Sequence, residues 1–124
     1  MYRSMFQTYV KGSAEAVRLY QEAFGAKLGY HVMGDGGVYY HAELDIEGQV
    51  LAVAEAAGSE GERVTGNTMQ LCLHYGEGGE GRVKKAYEVL QRDGEVLYPL
   101  GPCEFSSCMC DLIDAFGVRW CLFV

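Results

Sequence analysis

The chain spells one pattern twice, and that repetition limits its folds more than any single residue does. Phe6, Thr8 and Val10 alternate with Met5, Gln7 and Tyr9, the period of a half-buried strand. Ser13 follows as an expected helix N-cap, with Glu15 in the first turn. Val17, Tyr20 and Phe24 then mark one apolar helix face, and Gly25 stands where a C-terminal glycine cap belongs. Strands are expected over 26–32, 38–46 and 49–55, with turns at 34–37 and at Glu47-Gly48. The second copy runs from a strand over 69–75, through the glycine-rich entry 76–81, to a helix over 83–92 stopped at Asp93-Gly94. Strands over 95–99, 106–113 and 118–123 complete it, the last two joined by Asp114-Ala115-Phe116-Gly117. The order is β-α-β-β-β in each half. A module of this kind covers one sheet face with its helix and leaves the other open. Two modules bury that second face by curling around a common cavity.

The division is module one 1–56, a polar linker 57–67, and module two 68–124. A chain of 124 residues buries roughly two-thirds of its unfolded surface, enough for a core. The net charge of -7 argues against nucleic acid and anionic membrane, which need a basic footprint. No apolar run is long enough to span a bilayer. The glycine-rich loops lack the Gly-Lys-Ser/Thr of a phosphate cradle. The opening residues enter a strand-like pattern, not a secretion leader, and the five cysteines are odd in number. Reduced thiols in a cytoplasmic protein are expected.

Order, length and local wording resemble the vicinal oxygen chelate superfamily of glyoxalase I, bleomycin-resistance proteins and extradiol dioxygenases, and within it the PhnB-like branch. The segments that carry the resemblance are 12–25, Tyr40-His41-Ala42-Glu43-Leu44, Ile46-Glu47-Gly48, 94–100 and 114–120. It implies an α+β fold, two βαβββ modules forming a cupped mixed sheet, and a homodimer. The metal enzymes of that superfamily place His and Glu ligands on the first and last strands of each module. Here those places fall on Met5, Ala52, Gln70 and Cys121, none of which is His or Glu. The resemblance therefore implies no cofactor, disfavours a divalent metal, and argues against glyoxalase I activity.

Strand parity adds Gln7 to Met5, Cys72 and His74 to Gln70, and Arg119 and Phe123 to Cys121. His41 and Glu43, two apart on one strand face, form a candidate acid-base pair. Tyr40, Ala42, Leu44 and Ile46 are assigned to the helix side of the same strand. The internal echo aligns Cys108 and Cys110 with Tyr39 and His41. The ligand-binding candidates are Gln7, His41, Glu43, Gln70, Cys110 and Cys121. The expected function is a glyoxalase-like or PhnB-like protein that binds a small organic molecule without the usual metal site. The alternative is a metal-dependent lyase or dioxygenase of the same superfamily whose ligands His41, Glu43, His74 or Gln70 are displaced in register.

Overall fold

The computed structural model describes residues 1–56 and 68–124. The expected linker 57–67 lies outside the described residues. The chain divides into two compact units.

The first unit contains β1 (Phe6–Val10), α1 (Ser13–Phe24), β2 (Lys27–Met33), a short 3-10 turn (Asp35–Gly37), β3 (Tyr39–Ile46) and β4 (Gln49–Glu55). Its sheet has the order β1-β4-β3-β2. β1 runs parallel to β4, and the other pairs are antiparallel. The β3–β4 hairpin closes on Glu47 and Gly48, both at positive φ (51° and 92°), as a two-residue turn of matching twist requires. α1 buries Ser13, Ala16, Val17, Tyr20 and Ala23 over Val10, Ala42, Leu44, Leu51 and Val53, all fully enclosed.

Ser13 is not the cap that its position suggests. Gly12 precedes the helix in a left-handed conformation, and no side chain of the cap residue bonds the first turn. Glu55, at the end of β4, supplies the acceptor instead. Its carboxylate accepts from the N–H of Gly12 (3.0 Å), the N–H of Ser13 (2.9 Å) and the Ser13 hydroxyl (2.8 Å). The Ser13 oxygen in turn accepts from the Tyr39 N–H (2.8 Å). Burial opposes the charge on Glu55, but the three hydrogen bonds outweigh it and hold this carboxyl below its ordinary value. The Glu55→Ala variant is expected to lose about 1 kcal/mol, the size of a lost helix cap, in urea denaturation.

Tyr40 is a second correction. Although its parity is that of Ala42 and Leu44, it is 75% exposed. The β2–β3 register passes from Val32↔His41 to Met33↔Tyr39, so Tyr40 is the extra residue of a β-bulge and leaves the apolar row.

The second unit contains β5 (Leu71–His74), α2 (Glu80–Leu90), β6 (Glu95–Gly101), β7 (Met109–Ile113) and β8 (Arg119–Phe123). Its sheet order, β5-β8-β7-β6, repeats the first, again with one parallel pair, β5 and β8. Glu80 and Gly81, expected in a flexible entry, already belong to the helix. Pro99 sits on the edge strand β6, where a missing N–H breaks no ladder. α2 buries Val83, Ala86, Val89 and Leu90 against Cys110, Leu112, Trp120 and Leu122, each fully enclosed.

The β7–β8 turn is tied by Asp114, which is buried. Its Oδ1 accepts from the N–H groups of Phe116 (2.9 Å) and Val118 (3.1 Å), and its Oδ2 from the Trp120 indole N–H (2.9 Å). Among the described residues no helix is long and apolar enough to cross a membrane.

Candidate functional site

On the first sheet, direct pairing sorts the two faces. Gln7 pairs with Ala52, and Ala52 with Glu43. This row lies on the face away from α1, because its neighbours Ala42, Leu44 and Val53 are the ones packed under the helix. Gln7, His41 and Glu43 meet there. The Glu43 carboxylate accepts two bonds from the Arg3 guanidinium, both 2.7 Å, a bidentate pair of the strong kind. His41 Nε2 lies 3.0 Å from Glu43 Oε1, and its Nδ1 lies 2.7 Å from Gln7 Oε1. Gln7 Nε2 donates to the Tyr9 hydroxyl (2.8 Å). The Tyr30 ring stands 6.1 Å from the His41 ring.

Both His41 nitrogens face oxygen acceptors, so the ring makes both bonds together only when it carries two protons. With the Gln7 amide turned over, its Nε2 donates to Nδ1 and its oxygen accepts from Tyr9, and a singly protonated ring suffices. The network thus has two complete proton arrangements.

Arg3 first, and His41 second, push Glu43 down to about 2 from its ordinary 4.5. The folded value lies below the unfolded one. The resulting stability is present above pH 4.5 and is lost as pH falls toward 2. A carboxyl-detected NMR titration is expected to place the Glu43 midpoint near 2, and to move it up toward the ordinary range in Arg3→Met.

On the second sheet the corresponding open face carries the row Cys72, Cys121 and Asp111, each paired directly with the next. Asp111 accepts from Arg119 Nε (3.1 Å) and Nη2 (2.8 Å), and from Gln70 Nε2 (2.9 Å). The Cys72 thiol donates to Gln70 Oε1 at 3.8 Å. Burial, then the neighbouring Cys72, pushes the Cys121 thiol up to about 11. The His74 and Phe123 rings stack at 4.5 Å on the same face, with Phe105 edge-on to Phe123 at 5.4 Å.

Gln70 and Cys121 therefore lie on this open face. Cys110 does not, and its place among the ligand-facing candidates is corrected. It pairs with Leu122 on the helix side, is fully enclosed, and burial pushes its thiol up to about 12. The internal echo that matched it to His41 is one residue out of step with the open face. Two polar residues escaped the sequence reading. Asp111 shares the parity of Cys121 through their direct pairing, so alternation contained the signal. Arg3 precedes β1, outside any periodic stretch, and reaches a partner 40 positions away.

The donor set does not fit a hard divalent ion. Such an ion needs several oxygen or imidazole donors on one point. Met5 and Ala52 supply none. The carboxylates of Glu43 and Asp111 are each already closed by a guanidinium, Glu43 by Arg3 and Asp111 by Arg119. Among the described residues no three His, Cys, Asp or Glu side chains are grouped to hold a metal.

No protein-family model matches the chain, and no curated protein matches it. Solved structures do. A PhnB protein from Bacillus cereus is 23% identical, with a TM-score of 0.79 over 98% of both chains. Protein PA1353 from Pseudomonas aeruginosa is 18% identical, with a TM-score of 0.80 over 99% of this chain and 97% of that one. The fosfomycin resistance protein FosX from Listeria monocytogenes, solved with Mn(II) and sulfate, is 14% identical, with a TM-score of 0.67 over 98% and 88%. Two βαβββ modules, each with a four-stranded mixed sheet, and full-length likeness to these structures give this chain the glyoxalase/bleomycin resistance/extradiol dioxygenase fold.

Proposed function

We propose that this chain is a glyoxalase-like, PhnB-like protein of the cytoplasm that binds a small organic molecule against the open face of its sheet, without the usual divalent metal. The observation that carries this reading is the Arg3–Glu43–His41–Gln7 network. It offers polar groups with satisfied partners, while the guanidinium occupies the carboxylate that a metal would need. The exposed rings of Tyr9 and Tyr30 supply apolar area beside it, the mixture that small-molecule sites use. A ligand with a planar apolar part and one or two hydrogen-bonding groups suits such a surface.

A homodimer belongs to the same proposal. The edge strands β2 and β6 expose Tyr30, Val32 and Met33, and Val96, Leu97 and Tyr98, respectively. Edges of this kind favour cover by another chain.

A thermal-shift screen of small aromatic and hydroxylated compounds tests the reading. A compound at about 100 times its Kd adds about 2.7 kcal/mol of stability. His41→Ala and Gln7→Ala are each expected to reduce that shift sharply. Stoichiometric zinc, nickel, iron or manganese in the purified protein, restored after chelation, overturns the proposal.

A further inference from the structure

Cys72 and Cys121 are direct register partners on the parallel strands β5 and β8. Two positions along the same face, the next such pair, His74 and Phe123, is in ring-to-ring contact at 4.5 Å. The Cys72 and Cys121 side chains are likewise within hydrogen-bonding reach of each other. Both thiols are free, Cys72 is exposed and Cys121 half-buried, so a solute reaches them from the open side. Arg119 stands close enough for both thiols to act on its charge. The nearest oxygen donors are committed, Asp111 to Arg119 and Gln70.

We infer that Cys72 and Cys121 form a two-thiolate site for a soft monovalent cation of the Cu(I) type. Thiolates select soft ions over hard ones. A monovalent soft ion is satisfied by two sulfurs in line, so the absence of a third and fourth ligand, which rules out a hard divalent ion here, is no obstacle. On binding, two S–H bonds break, two metal–sulfur bonds form, and two protons leave to solvent. No electron is transferred. The bis-thiolate complex carries one negative charge, which the Arg119 guanidinium, shared with Asp111, offsets in part. Gln70, which accepts the Cys72 thiol proton through Oε1, releases that bond and keeps its bond to Asp111. This site uses neither His41 nor Gln7 and stands or falls apart from the organic ligand proposed above.

The test is anaerobic titration of the fully reduced protein with Cu(I) held by a chromogenic chelator. The wild type is expected to withdraw one equivalent. Cys72→Ser and Cys121→Ser are each expected to bind at least ~100-fold more weakly. Cys103→Ser is expected to retain the full equivalent. A second readout does not depend on substitution: Cu(I) is expected to protect Cys72 and Cys121 of the wild type from iodoacetamide, read by mass spectrometry. No uptake by the wild type, uptake unchanged in either Cys72→Ser or Cys121→Ser, loss confined to Cys103→Ser, or undiminished alkylation at the two positions overturns the assignment.

Discussion

The Trp120→Ala variant is expected to lose about 4 kcal/mol of stability, the upper range for removing a buried aromatic side chain. Trp120 is fully enclosed, on the helix side of β8 between Leu112, its direct partner on β7, and Leu71, its partner on β5. The substitution removes apolar area and leaves a cavity. It also takes away the indole N–H that Asp114 Oδ2 accepts. That carboxylate is buried, so losing a donor adds a desolvation cost to the packing cost. Trp120→Phe separates the two contributions, because it keeps most of the ring area and deletes the donor. It is expected to cost about 2 kcal/mol. Tyr40→Ala, at the exposed bulge, is expected to change stability by less than about 0.5 kcal/mol. Urea denaturation of the three variants checks the ranking. A Trp120→Ala loss no larger than that of Tyr40→Ala contradicts this account of the second core.

Two glycine substitutions in the second unit are expected to have opposite signs. Gly94 lies where the chain leaves α2 for β6. A Cβ built there meets the Ile113 carbonyl oxygen at 2.5 Å and the Leu90 carbonyl oxygen at 3.2 Å. Both are backbone atoms of packed elements and do not swing aside. Gly94→Ala is therefore expected to cost about 3 kcal/mol, the upper range for overpacking. Gly81 lies within α2, and a Cβ there meets nothing within 4 Å. Gly81→Ala relieves the entropic cost of glycine in a helix and is expected to add about 0.5–1 kcal/mol. Thermal unfolding of the pair gives the sign directly. Spacing alone marks Asp93-Gly94 as a simple helix stop. In fact Asp93 takes the left-handed turn, at φ 54°, and Gly94 is needed for the close approach of two backbones.

Local period is what made most of this architecture readable. α1 runs over 13–24 as its apolar spacing expects, and β4 over 49–55 as alternation expects. The helix-facing positions Ala42, Leu44 and Ile46 follow from parity alone. Parity also separated Gln7, His41 and Glu43 from them, because neighbouring side chains on a strand point to opposite faces. It failed where the strand is not regular. Tyr40 occupies a bulge, and the extra residue breaks the alternation. It fails again at Cys110: the internal repeat is only approximate, and a one-residue offset reverses the face.

The amino-acid sequence by itself determined the order of elements and the apolar face of each helix. These follow from spacing within a few residues. Tertiary structure alone decided which polar groups meet. Arg3 and Glu43 are joined across 40 positions, Gln70 and Asp111 across 41, and Cys72 faces Cys121 only because β5 runs parallel to β8. Such partners are set by strand register and crossover, and no local pattern carries that information.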